Sequence, residues 1–176
     1  MTGPVGKFDF GAGAGVAVVG GGIGGTYYLS GSLRYFVMEN VAVEGEIGYW
    51  SKTYTLTATD PFTRATLEAK TSDLAIGMNA YYVQPIQPAI NGFVGGGVGI
   101  HFQKASGEAS ASATIPGFGT VGGKAGASVT TTDFSLRFIG GIEYSVSKNA
   151  KAFGIVRYDI SGPSVFKVYG GFRFGP

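Results

Sequence analysis

Over most of this chain, apolar and polar or glycine residues alternate one for one, and the charged residues keep to a single phase of that alternation. Successive side chains of a strand point to opposite faces, so such a pattern specifies β-strands with one apolar and one polar face. It is clearest over residues 29–52. In the first arm Leu29, Leu33, Tyr35 and Val37 share one face, and Ser30, Ser32, Arg34, Phe36 and Met38 share the other. After Glu39 and Asn40, Val41, Val43, Ile47 and Tyr49 continue the apolar face, while Glu44, Glu46 and Lys52 lie with Arg34. A turn centred on Asn40 sets Arg34 opposite Glu46 as a cross-strand ion pair.

The same period recurs along the chain. Strand one covers residues 7–19, with Lys7, Asp9 and glycines opposed to Phe8 and Phe10; strand two covers about 27–38 and strand three about 41–52. Residues 53–70 alternate around Asp60, Pro61 and Phe62, turn chemistry for the tip of a long hairpin. Strand four carries Asp73, Ala75, Gly77, Asn79 and Tyr81 on one side, with Leu74, Ile76, Met78 and Tyr82 on the other. Pro85 and Pro88 cannot donate ladder hydrogen bonds, so residues 84–90 are expected to form a connection. Strand five (about 92–103) sets His101 with glycines against Val94, Val98, Ile100 and Phe102. An Ala-, Ser-, Gly- and Thr-rich excursion follows over 105–131, its tip at Pro116, Gly117 and Phe118. Strand six (about 132–145) opposes Asp133, Arg137 and Glu143 to Phe134, Phe138 and Tyr144. Strand seven (151–160) opposes Lys151, Arg157 and Asp159 to Tyr158. Strand eight opposes Lys167, Tyr169 and Arg173 to Phe166, Phe172 and Phe174.

Eight antiparallel strands point to an all-β, up-and-down closed barrel, because closure removes the unpaired edges. The expectation is one barrel domain over 1–176. Which face lies inside decides the environment. A soluble barrel would bury the large rings and expose glycines and balanced charges, yet eight strands enclose little room. A membrane barrel reverses this. Its outward aromatics should form two girdles: Tyr27, Tyr49, Phe102, Phe134, Tyr158 and Phe166 at one rim, Phe8, Phe10, Tyr35, Tyr82, Tyr144, Phe172 and Phe174 at the other.

Composition removes several functions. Thirteen basic and 11 acidic residues give a net charge of +2, so no basic field points to nucleic acid. Without cysteine there is neither a disulfide framework nor a thiolate metal site. One histidine and scattered carboxylates supply no ligand spacing, and no cofactor is implied. Gly20, Gly22 and Gly25 fit G-x-G-x-x-G, but strand-like sequence follows instead of a helix, so the run reads as an outer turn. Residues 1–6 contain no apolar signal core, consistent with a mature chain carrying an added initiator Met1.

The chain resembles the eight-stranded outer-membrane barrels of the OmpA and OmpX type. The resemblance rests on Gly31–Phe36 through Glu39–Tyr49, with Phe93–Gly99 and the closing Phe172-Arg173-Phe174 in support. It implies the outer membrane of a Gram-negative-type bacterium, contact with outer-membrane lipid, and insertion by the barrel-assembly machinery through the terminal aromatics. Short turns would face the periplasm, and residues 20–26, 53–70, 104–131 and 161–163 would lie outside. No peptidoglycan-binding domain follows, so the plan is closer to OmpX, with strands three to six extended into a protruding sheet. Such a sheet could pair with an extracellular protein or surface ligand.

The inward set Asp9, Arg34, Glu44, Glu46, Lys52, Asp73, His101, Asp133, Arg137, Glu143, Lys151, Arg157, Asp159, Lys167 and Arg173 is nearly balanced and expected to pair across the lumen. A narrow pore lined by these residues is the alternative. Centring the 105–131 hairpin on Gly117 sets His101 opposite Asp133, a pair able to support a general base, although no activated serine is apparent. The sequence therefore favours an envelope-structural or surface-interaction barrel over a channel, and a channel over an enzyme.

Overall fold

The computed structural model describes residues 5–21 and 23–175. Met1 and Gly22, and the readings placed on them, lie outside the described residues. Eight antiparallel strands close into a barrel in chain order: β1 (Phe8–Val19), β2 (Gly24–Met38), β3 (Val41–Thr59), β4 (Thr63–Gln87), β5 (Ile90–Ile115), β6 (Gly119–Ser147), β7 (Ala150–Ile160) and β8 (Val165–Phe174). β1 pairs with both β2 and β8, closing the ring.

Strand lengths divide the barrel into two regions. β1, β7 and β8 are 12, 11 and 10 residues long, close to the roughly 9–11 residues that a tilted strand needs to cross a bilayer. β3 to β6, with 19, 25, 26 and 29 residues, run well beyond that span at one end only. At the other end the strands are joined by two-residue turns, Glu39-Asn40, Pro88-Ala89 and Lys148-Asn149.

Two register features differ from the sequence reading. The β2–β3 turn falls between Glu39 and Asn40, Met38 pairs with Val41, and a bulge between Phe36 and Met38 moves the register again. Arg34 therefore opposite Glu44, not Glu46. The net slip is two residues, so side chains up to Phe36 keep their face, whereas Met38, read as inward, lies beyond the bulge opposite Val41 and is exposed on the outside. Residues 84–87 continue β4 instead of forming a connection, with Pro85 paired to Asn91 and a register shift before Gln87 accommodating the missing donor. The 53–70 and 104–131 segments extend β3 to β6 into the protruding sheet expected from their strand-like sequence, with Thr53 paired to Lys70 and Lys104 to Thr130 in unbroken ladders.

The tips are set by local chemistry. Phe118 N donates to Ile115 O at 3.0 Å across Pro116-Gly117, and Gly117 has φ +87°, the backbone that a type II turn demands after proline. At the other tip Asp60 Oδ1 accepts from the amides of Phe62 (2.9 Å) and Thr63 (2.8 Å), and the Thr63 hydroxyl donates to Oδ2. That hydroxyl and the two amides hold the exposed Asp60 carboxyl below its ordinary value of 3.8. A lowered value means these bonds are intact above the ordinary carboxylate range and are lost as pH falls through the folded value. In an amide NMR titration, Phe62 and Thr63 should shift together with a midpoint below 3.8, and Asp60→Asn should abolish that titration.

Candidate functional site

The inward face within the membrane span is polar and filled. Among the described residues it buries the carboxylates of Asp9, Glu44, Glu46, Asp73, Glu143 and Asp159 against the cations Arg34, Arg137, Arg157, Lys167 and Arg173. They form two layers. Near the short-turn end Arg34 bridges Asp9 (2.7 Å) and Glu143 (2.5 Å), Arg173 bridges Glu143 (2.5 Å) and Glu44 (2.6 Å), and Tyr81 Oη donates to Glu44 at 2.6 Å. Lys151 closes the rim on Asp9 at 3.1 Å. In the next layer Arg157 donates to Glu46 (2.5 Å) and Tyr28 Oη (2.8 Å), Tyr28 donates to Glu46, and Lys167 donates to Asp159 Oδ2 (2.7 Å), whose Oδ1 lies in an ion pair 3.0 Å from Arg157 Nε. These bonds join opposite walls: Glu143 on β6 reaches β2 and β8, and Glu46 on β3 reaches β7.

Aromatic rings fill the space between the charges. Tyr28, Phe36, Trp50, Tyr81, Phe93, Phe153 and Tyr169 are all buried inside. Arg157 stacks over Tyr28 and Tyr169, Lys167 over Tyr28, and Arg173 over Phe153 at 4.4 Å. Several of these rings are matched by a glycine on the neighbouring strand. A Cβ at Gly48 would meet Tyr28 Oη at 2.3 Å, one at Gly95 would meet Tyr81, and one at Gly141 would meet Phe93. The glycine richness of the strands is thus the space requirement of a small bore. Arg137 lies over Gly77 and Gly99 and makes no hydrogen bond to the described residues.

Three residues assigned to the lumen network stand elsewhere or pair differently. Lys52 is half-buried at the rim, where Nζ donates to Gly25 O at 2.6 Å and pins the first outer turn. Asp133 is half-buried at the same rim, beside Gly162, outside the ion pairs. His101 does face Asp133 in register, but its ring turns across the bore: Nδ1 lies 2.8 Å from Asp73 Oδ2 and Nε2 lies 3.0 Å from Ser135 Oγ. Asp73, His101 and Ser135 therefore stand in the order of an acyl-transfer triad. The alternation places Ser135 on the inward face and the Gly117-centred register pairs it with Gly99, but the diagonal reach of the His101 ring to it is not given by either. Asp159 Oδ2 lies 3.8 Å from the same Nε2, and all four side chains are buried.

The outward face of the span is apolar all round. Phe8, Phe10, Tyr27, Tyr49, Tyr82, Phe102, Phe134, Tyr144, Tyr158, Phe166, Phe172 and Phe174 are exposed on it, and Tyr35 is half-buried against Phe8 with ring centroids 4.8 Å apart. Val16, Ile47, Ile76, Val94, Val98, Leu136, Ile142 and Val168 are exposed in the same phase. An apolar exterior around a charged interior is the arrangement of a bilayer-spanning barrel.

Beyond the span the phases exchange character. In the lumen phase, Trp50, Asp73, His101 and Ser135 give way to Tyr54, Leu56 and Ala58 on β3, Ala65, Leu67 and Ala69 on β4, Ala105 to Ala113 on β5, and Val121 to Val129 on β6. In the lipid phase, Tyr49, Leu74, Phe102 and Phe134 give way to Thr53–Thr59, Arg64, Glu68, Lys70, Lys104, Glu108, Ser110 and Lys124. The protruding four-stranded sheet is therefore amphipathic in the sense opposite to the barrel beneath it. A groove of about 650 Å³ crosses its apolar face, lined by residues including Leu56, Ala65, Leu67, Ala109 and Ala125. Asp60, Pro61, Phe62, Pro116, Gly117 and Phe118 form the exposed tips.

No protein-family model matches the chain, and no curated relative does. Solved structures do. Neisserial surface protein A superposes with a TM-score of 0.60 at 16% identity, covering 95% of this chain and 96% of that one. The N-terminal β-barrel domain of Pseudomonas aeruginosa OprF gives 0.57 at 12% identity, covering 96% and 97%. Ail, the attachment invasion locus protein of Yersinia pestis, gives 0.52 at 14% identity, covering 97% and 100%. The shared class is the all-β, eight-stranded, antiparallel transmembrane barrel of outer-membrane type.

Proposed function

We propose that this protein is an outer-membrane barrel of a Gram-negative-type bacterium whose role is surface interaction through its protruding sheet. The observation that carries this reading is the contrast between the two regions. The lumen is crossed by ion pairs and filled by rings, whereas the sheet above it leaves a polar face, an apolar face and an unpaired β6 edge open to the outside. The apolar band contacts outer-membrane lipid, and Phe172-Arg173-Phe174 is the segment for the barrel-assembly machinery to engage.

The test is a trimmed chain in which residues 54–69 and 105–130 are replaced by short turns. It should still migrate as a folded, heat-modifiable barrel, while cells displaying it lose the surface adhesion conferred by the full chain. Retention of full adhesion by the folded, trimmed barrel would overturn the reading. A narrow ion channel is the second reading, favoured by the charges lining the bore.

Catalysis by Asp73, His101 and Ser135 is not part of the proposal. The serine is buried, and Asp159 competes with it for His101 Nε2. A fluorophosphonate probe should leave Ser135 of the folded barrel unlabelled; covalent labelling lost in Ser135→Ala would make the chain an enzyme.

A further inference from the structure

The apolar face of the protruding sheet carries no charged residue from Tyr54 across to Val129, yet Leu56, Leu67, Val121 and Val129 are half to two-thirds or more exposed. It points the way the lumen residues point, toward the barrel axis. It therefore overhangs the half of the mouth built by β1, β2, β7 and β8, whose strands stop at the bilayer. Resting on the surface-interaction reading above, we infer that this face is covered by the same face of a second copy anchored in an opposing membrane.

Three observations select that occupant. The first is chemistry. The face is built of Ala, Gly, Val and Leu, so two such faces can approach closely with no charge left buried, whereas a polar glycan or a charged peptide would find no partner on it.

The second is area. Four strands about 4.8 Å apart and about ten residues long at about 3.3 Å per residue present a face of roughly 600 Å². Two faces together bury roughly 1,200 Å², the lower end of the range of stable specific interfaces. A face of this size is also about the largest apolar patch that a monomer ordinarily exposes.

The third is placement. A copy in the same membrane stands beside the barrel and holds its own face over its own mouth, a barrel's width away. An inverted copy lowers its sheet into the space above the short strands, and the pair closes as a symmetric, self-complementary dimer. Adhesion between like cells is the function this arrangement serves.

The chain contains no cysteine, so single cysteines report this contact cleanly. Ala109 sits in the middle of the apolar face, and its neighbour Ser110 points to the opposite, polar face. The experiment uses nanodiscs loaded with one barrel each, mixed under mild oxidation. Ala109→Cys should form disulfide-linked pairs of discs, Ser110→Cys should form at least tenfold fewer, and Leu67→Glu added to Ala109→Cys should return the discs to single particles. Equal cross-linking of both cysteines, or none from Ala109→Cys, would overturn the inference. So would cross-linking found only when two barrels share one disc. If discs remain single while the trimmed chain still loses adhesion, the second-copy inference fails and the surface-interaction reading stands.

Discussion

Glu143→Ala should destabilise the folded barrel by about 3–5 kcal/mol, the cost of leaving buried charge without its partner. Glu143 is where two arginines from different walls converge: Arg34 reaches both of its oxygens, at 2.5 and 3.2 Å, and Arg173 reaches Oε1 at 2.5 Å. Removing the carboxylate leaves Arg34 with Asp9 alone and Arg173 with Glu44 alone, at sites 0–1% exposed. Glu143→Gln retains the shape and one acceptor and should cost less. An exposed pair supplies the contrast. Lys124 and Glu108, 3.3 Å apart on the protruding sheet, are 76% and 57% exposed, and Lys124→Ala should change stability by less than about 1 kcal/mol. Reversible urea unfolding in lipid vesicles, followed by tryptophan fluorescence from Trp50, measures all three. An effect of Glu143→Ala no larger than that of Lys124→Ala would mean that the lumen pairs are solvated and the bore open.

Gly171→Ala should cost about 3 kcal/mol, the upper end of the usual overpacking penalty. A Cβ at this position would lie 1.9 Å from Ala12 O and 2.7 Å from Gly13 Cα. Both obstacles are backbone of β1, so relief requires β1 and β8 to move apart at the seam that closes the barrel. Gly45→Ala is the matched control, because a Cβ there meets nothing within 4 Å; it should fall within about 0.5 kcal/mol of the parent. The same unfolding experiment decides, and equal stability of the two variants would remove the close-packed seam from the account.

These effects show which parts of the molecule were legible in its sequence. Facing was legible, because a period of two needs no knowledge of partners: Arg34, Glu46, Arg157 and Arg173 are buried inside, and Phe134 and Phe172 are exposed outside. Pairing was not. The Arg34–Glu46 pair inferred from the turn dissolves because a bulge at Val37, unmarked in sequence, adds to an off-centre turn; Arg34 bonds Asp9 and Glu143 instead.

His101 illustrates the second limit. Its register partner is Asp133, but a side chain in a narrow bore can reach across it, and the contacts with Asp73 and Ser135 depend on how neighbouring strands are staggered. Tyr81 and Tyr169 already stood in the charged phase, so rings inside the lumen could have been anticipated; what was missing was their match to Gly95 and Gly15 on other strands. The exchange of phases above the bilayer was also written in the residues, at Trp50–Thr53 and Thr71–Asp73. It emerges when the period of two is carried without a break from the strands of the span through 53–59 and 63–72, which continue them.

The central claim is that the bore is closed by its own charges and rings, leaving the sheet above as the working surface. Single-channel recording of the refolded, heat-modifiable barrel in planar bilayers tests it most directly. The account predicts no discrete conductance from the parent chain. Steady channel openings whose amplitude changes when Arg34 or Glu46 is replaced would contradict it, and the protein would then be a narrow pore.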